Sequence, residues 1–170
     1  MSYTIKLAEN NHVDVLPSIE RAAAELFSLK DLPLKHRSDV TLRDDFQNAK
    51  GRGFLWVAVD EHDVPVGFLL ADVVDGNFHI KEMDILPDLN GRGMGTKLLQ
   101  YACNAACGRG YQYVTLTTFE HIAWNAPFYR RRGFSVMQAA DCGEELSAIL
   151  MEEKNSGLKN RVAMCKQCSS

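Results

Sequence analysis

The sequence has no basic excess: 19 Lys and Arg stand against 22 Asp and Glu, a formal net charge of −3. It therefore lacks the electrostatic footprint of a protein that binds nucleic acid or an anionic membrane. No apolar run approaches the ~20 residues needed to cross a bilayer. The opening MSYTIKLAENNH has neither the basic start nor the long apolar stretch of a secretory leader, and a cytoplasmic location is expected. Cysteines number five, an odd count that argues for reduced thiols rather than a disulfide framework. Cys165 and Cys168 have CxxC spacing without a second ligand pair at zinc-finger spacing, so both are taken as incidental thiols and no metal is expected. No repeat, low-complexity tract or linker divides the 170 residues, which suit one domain, 1–170, large enough to bury a core.

What is present is ordinary in bulk, with 46% apolar and 24% charged residues, the balance of a soluble globular chain. The informative stretch runs from Phe78 to Gly110. An extended segment, FHIKEMDILPDL, meets a glycine-rich turn, NGRGMG, and then a helix whose Leu98, Leu99, Ala102 and Ala106 recur at helical spacing. The first turn of a helix leaves about four N–H groups without partners, and the macrodipole places partial positive charge at the same end. Phosphate suits that position. Gly91, Gly93 and Gly95 permit positive φ and close approach of an anion, and Arg92 adds a cation.

Two familiar phosphate loops fit poorly. A Walker A loop ends in Gly-Lys-Ser/Thr, whereas Gly95-Thr96-Lys97 has another order. A dinucleotide fingerprint belongs to the first βα unit, but about half of this chain precedes the loop.

The remainder predicts a mixed sheet. Tyr3, Ile5 and Leu7 alternate with polar residues as a first strand. A helix is expected over Asn11 to Leu29, capped by Asn10 or Asn11, with Leu16, Ile19, Ala23, Leu26 and Phe27 as its apolar stripe and Pro17 near its first turn. Glu20 and Glu25 are either solvated helix charges or an acidic lip that attracts an amine. Lys30 to Val40 is expected as a mobile connection, and Thr41-Leu42-Arg43-Asp44 as a capping box for a helix ending near Gly51. Phe54 to Asp60 and Pro65 to Val74 predict a meander. Tyr111 to Phe119 predicts a strand, Asn125 to Arg132 a short helix, Phe134 to Met137 a strand, Glu144 to Lys154 a helix, and Arg161 to Lys166 a last strand pairing with its predecessor. The fold class is α/β, an α+β mixed sheet.

The loop Asn90-Gly91-Arg92-Gly93-Met94-Gly95 resembles the acyl-CoA-binding motif of the GNAT superfamily of N-acetyltransferases, Gln/Arg-x-x-Gly-x-Gly/Ala, with Asn90 departing from the usual first residue. Downstream, Trp124-Asn125-Ala126-Pro127-Phe128-Tyr129-Arg130-Arg131-Arg132-Gly133-Phe134 looks like that family's second signature. The resemblance implies the GNAT fold, a largely antiparallel sheet of about seven strands flanked by helices. It also implies transfer of an acetyl group from acetyl-CoA to a primary amine by direct attack in a ternary complex, with no metal. Asn90, Gly91, Arg92, Gly93, Met94, Gly95 and Thr96 would then hold the pyrophosphate. The backbone at Met83, Asp84 and Ile85 would bind the acetyl carbonyl and pantetheine amides, Asn125 and Phe128 the cofactor arm, and Tyr129 would protonate the departing thiolate. Phe119 and Trp124 are candidate acceptor-pocket residues, with His121 beside them.

An alkylamine has a pKa near ~10, so the reaction needs a proton acceptor. Glu82 is preferred and His79 second, with Asp84 the remaining ionisable acceptor on that strand. Alternation separates His79 from Glu82 and Asp84 unless a bulge intervenes. The expected acceptor is a small amine or amino acid, with no nucleic-acid or membrane partner, and homodimerisation is left open. The alternatives are a non-catalytic CoA-binding module, an acetyltransferase acting on a protein amine, and a nucleotide-phosphate enzyme.

Overall fold

A computed structural model describes residues 2–169. Seven strands form one mixed sheet in the order β1-β2-β3-β4-β5-β7-β6, accompanied by helices. In chain order these are β1 (Thr4–Leu7), α1 (Leu16–Ala24), α2 (Leu34–Arg37), α3 (Arg43–Gly51), β2 (Leu55–Val59), β3 (Pro65–Val74), β4 (Asn77–Ile85), α4 (Met94–Gly108), β5 (Tyr113–Phe119), α5 (Ala126–Arg130), β6 (Ser135–Val136), α6 (Glu144–Asn155) and β7 (Arg161–Gln167). Among the described residues no helix is long and apolar enough to cross a membrane. The chain packs as two compact units, one of residues up to 71 and 82–104, the other of residues 72–81 and 105 onward.

In the first unit β1 and β2 run antiparallel, Thr4 opposite Val59 and Leu7 opposite Trp56, and β2 pairs antiparallel with β3. Every residue of β2, LWVAV, is buried, as expected of a strand covered on both faces. Val13, Leu16 and Ile19 are sealed from solvent with Phe46 of α3 and Phe68 of β3, and the two phenyl rings meet edge to face at 5.3 Å. Gly67 is required by close approach: a Cβ there would lie 2.5 Å from Ile85 Cδ1 and 3.0 Å from the Asp84 carbonyl oxygen.

In the second unit β5 pairs in parallel with β4, recorded from Phe78↔Val114 to Ile80↔Leu116, while β4 itself continues to Ile85. Along its other edge β5 is antiparallel to β7, and β7 is antiparallel to β6. The last strand thus pairs with its predecessor as expected, and also returns between it and β5. Val74, Leu146 and Ala163 form a small core with Met137, Ile149 and Leu150.

The long helix expected over Asn11 to Leu29 is broken. Asn10–Val15 is a 3₁₀ turn and α1 begins only at Leu16, because Pro17 lacks the N–H that would continue the ladder upstream. Neither Asn10 nor Asn11 caps it; Glu9 and His12 close a capping box on the 3₁₀ turn instead. Beyond Ala24 the bonds Leu26 N–H to Ala23 and Phe27 N–H to Ala24 tighten and end the helix. Within the stretch expected to be a mobile connection, Leu34–Arg37 is helical, and Arg37 donates to the Leu32 carbonyl. Leu42, not Thr41, is the N-cap residue of α3 and makes no side-chain cap.

The thiol reading also fails at one pair. Cys107, in the last turn of α4, is disulfide-bonded to Cys168, just past β7, with Cα atoms 5.3 Å apart across 61 residues of sequence. The Cys168 N–H donates to the Gln112 carbonyl at 2.8 Å, which holds the chain end beside the helix end within disulfide reach. Spacing within CxxC carried no information about this pairing.

Candidate functional site

The glycine loop lies in the first unit. Gly91 and Gly93 adopt φ of 80° and 82°, a region where other residues are strained, while Gly95 is already inside α4. Asn90, Gly91, Arg92 and Gly93 are exposed, whereas Met94 anchors the helix start in the core. Lys97 N–H to Gly93 carbonyl, at 3.1 Å, is the first bond of the helical ladder. The loop is open to one side: a Cβ at Gly91 or Gly93 would meet nothing within 4 Å, and the leading amides of α4 follow it. These features fit a pyrophosphate.

Three carboxyl groups gather in the same unit. Glu82 and Asp84 come from β4, and Asp84 is within hydrogen-bonding reach of Glu82. Burial, then the charge of Glu82, holds the Asp84 carboxyl well above its ordinary range, with Glu20 adding to the effect. Asp84 Oδ2 is sealed from water and has no hydrogen-bond partner. Glu20 joins them from α1. Its carboxyl is pushed up to about 7, by burial first and by Glu82 second, and it accepts bonds from the Thr41 N–H at 2.8 Å and the Thr41 hydroxyl at 3.0 Å. Of the two readings of Glu20, the solvated helix charge is the one the structure contradicts. Its position four residues after Leu16, on the buried stripe of α1, was the available signal.

His79 lies in the second unit, buried, with Nδ1 2.8 Å from the Thr115 hydroxyl. Burial lowers its pKa to about 4, outweighing Glu153, so it is neutral at physiological pH. Tyr129 is buried in the same unit, its ring edge-on to Phe128 and Phe134 with centroids 5.2 and 5.7 Å away. Asn125 precedes α5, and its Oδ1 accepts from Phe119 N–H at 3.4 Å. The Phe128 ring carries the Arg132 guanidinium at 3.6 Å. Phe119 is buried under Arg161, 4.5 Å from its ring centre, while Trp124 is half exposed.

Among the described residues one cluster has the composition of a metal site: Glu9, His12 and Asp63. Its chemistry is that of a clamp. Lys6 Nζ already sits 2.7 Å from Asp63 and Asn11 donates to it at 3.1 Å. His12 Nδ1 accepts the Glu9 N–H at 2.9 Å, so the ring proton is on Nε2, which lies 3.1 Å from Asp63 Oδ2 but off the line of a full hydrogen bond. The Lys6 ammonium, foremost, holds the Asp63 carboxyl well below the usual carboxylate range.

The family model for the acetyltransferase (GNAT) domain matches residues 51–136, a span that contains β4, the glycine loop and α5. The chain belongs to the GNAT acetyltransferase family. It is 37% identical over 82 residues to the peptidyl-lysine N-acetyltransferase YjaB of Salmonella typhimurium, covering 48% of this chain and 50% of that protein. The chain thus spans about half the length of the curated relatives it matches. In fold it resembles a GNAT-family acetyltransferase from Staphylococcus aureus, with a TM-score of 0.73, 14% identity and coverage of 99% and 100% of the two chains. It also resembles the PaiA N-acetyltransferase of Thermoplasma acidophilum, solved in complex with coenzyme A, with a TM-score of 0.71, 16% identity and coverage of 98% and 99%.

Proposed function

We propose that this GNAT-family chain transfers the acetyl group of acetyl-CoA to a primary aliphatic amine. The observation that carries the reading is the Gly91–Gly93 loop at the N-terminus of α4, inside the matched segment and one short 3₁₀ turn, Pro87–Leu89, after a strand that bears Glu82 and Asp84. The presence of coenzyme A in the Thermoplasma PaiA structure supports the choice of cofactor.

Acetyl-CoA supplies an activated thioester, whose C–S bond breaks as the C–N bond to the amine forms. The loop amides of Gly91 to Thr96 would hold the pyrophosphate with Arg92, and the backbone at Met83 to Ile85 the acetyl and pantetheine groups. Glu82, backed by Asp84, takes the proton that an ammonium must lose before its nitrogen can attack. Once the C–N bond has formed the nitrogen sheds a second proton; the Tyr129 hydroxyl gives a proton to the departing sulfur and recovers that second one through solvent, so the net release per amide is the single proton taken by Glu82. His79, buried and neutral, packs the second unit.

The small-molecule acceptor favoured by the sequence competes with a protein one, and the name of the Salmonella relative favours a lysine side chain. Free-thiol release from acetyl-CoA with lysine peptides, small amines and amino acids tests both. Release with lysine peptides alone identifies a protein acceptor; CoA binding without release on any amine supports the non-catalytic module.

A further inference from the structure

Glu20 reaches the carboxyl cluster from α1, Glu82 and Asp84 reach it from β4, and the remaining acidic group acting on Glu20 is Asp39. Asp84 presents a sealed oxygen with no donor. A buried carboxylate without a partner is costly, and three carboxylates together are more so. Such a cluster calls for countercharge, supplied by protons or by a cation. Burial, reinforced by neighbouring carboxyl groups, raises the pKa of Glu20 and Asp84, which favours protons as part of that countercharge in the free protein. An ammonium group offers three N–H donors and a full positive charge to the partly buried carboxyl groups of Glu20 and Glu82, beside Asp84.

We propose that Glu20, Glu82 and Asp84 are the receptor for the acceptor, which enters as an aliphatic ammonium with no carboxylate beside it, and that Glu20 is the specificity-determining residue. The inference rests on the acetyl-transfer reading and names its substrate class. Thr41 fixes Glu20 in place through two hydrogen bonds, so the receptor exists before the ligand arrives. Loading exchanges bound protons for the ammonium and releases them to solvent. An α-amino acid is rejected, because its own carboxylate arrives next to the cluster.

Three probes test this: 3-methylbutylamine, leucine, which adds a carboxylate to the same skeleton, and Nα-acetyl-lysine amide. Calorimetry in two buffers of different ionisation enthalpy, with and without CoA, reads affinity and proton release together. The amines are expected to bind with net proton release at about pH 6 to 8, and leucine about tenfold or more weaker. Glu20→Gln should weaken amine binding about tenfold or more and leave CoA affinity within about twofold. Because Glu20 has a raised folded pKa, its ionisation costs stability as pH rises from its ordinary 4.5 through about 7. Glu20→Gln should therefore hold or raise Tm at about pH 8, a response that a purely structural Glu20 would reverse. Thr41→Val, which keeps the charge but loosens its anchor, should weaken binding less.

Amine binding that Glu20→Gln leaves unchanged, that releases no proton, or that leucine matches overturns the proposal. Failure of both amines to bind does the same. Tighter binding of the lysine amide points to a peptide source and of 3-methylbutylamine to a small amine, and either supports the receptor. Thiol release whose KM for amine survives Glu20→Gln overturns the receptor and leaves acetyl transfer standing. Absence of CoA binding and thiol release overturns acetyl transfer, while amine titration of the free protein still decides the receptor.

Discussion

Asp75 and Glu145 bind each other's backbone amides: Glu145 N–H donates to Asp75 Oδ1 and Asp75 N–H donates to Glu145 Oε2, both at 2.9 Å. Asp75 Oδ2 also accepts from Leu146 N–H at 2.9 Å. This is a capping box for α6 whose acceptor comes from the β3–β4 turn, since Gly143 at the N-cap position has no side chain to offer. Asp75→Ala should cost about 1–2 kcal/mol in urea unfolding. Gly143→Ala should be similarly harmful, because its Cβ would fall 2.4 Å from the Asp75 carboxyl carbon. A cost below about 0.5 kcal/mol for Asp75→Ala would mean that the cap does not persist in solution.

Gly93→Val should abolish CoA binding measured by calorimetry. A branched residue is strained at φ of 82°, at a cost of about 1–2 kcal/mol, and its side chain would compete with a pyrophosphate for the open face of the loop. Arg92→Ala should weaken binding only modestly, since backbone amides make most of the contact. Unchanged affinity in Gly93→Val would make the loop a turn and nothing more.

The Cys107–Cys168 bond closes a long loop across 61 residues. Cys168→Ser should therefore lower stability by about 2–4 kcal/mol, and reduction of the wild type should reproduce that loss. A variant as stable as the oxidised protein would show that the Gln112–Cys168 hydrogen bond suffices to hold the strand end.

Tyr129→Phe removes one hydroxyl while keeping the ring that packs edge-on against Phe128 and Phe134. Tm should hold and kcat should fall by about 10²-fold. Unaltered kcat would return Tyr129 to the core.

What the sequence made legible was local. The limits of β3, Pro65–Val74, and the glycine-loop start of α4 follow from patterns that repeat within a few residues. What stayed hidden depended on partners far along the chain: Asp75 with Glu145, Cys107 with Cys168, Glu20 with Thr41. Thr41 shows the mechanism. A Ser/Thr-x-x-acid pattern announced a helix cap, but the hydroxyl and amide were recruited by Glu20 across 21 residues, and α3 began without them. Gly91 and Gly93 were readable because positive φ is a local demand, whereas Gly95 turned out to be ordinary helix. The ionisation of His79 and Asp84 was not readable, because burial sets it.

That inversion governs the pH profile. By ordinary values an acidic limb of kcat/KM near ~6.5 would indicate an imidazole and one near ~4 a carboxylate. Here burial lowers His79 to about 4 and raises Glu20 to about 7, with Asp84 also raised. A limb near neutrality therefore belongs to the carboxyl cluster, which must shed its protons before it can accept one from the ammonium. His79→Gln should leave the limb where it is and lower Tm by removing the bond to Thr115. Glu82→Gln removes a charge that raises both Glu20 and Asp84, so residual activity should show the limb displaced to lower pH, with kcat/KM reduced by about 10²-fold. A limb that disappears in His79→Gln, or stays fixed in Glu82→Gln, would take the base away from the carboxylates.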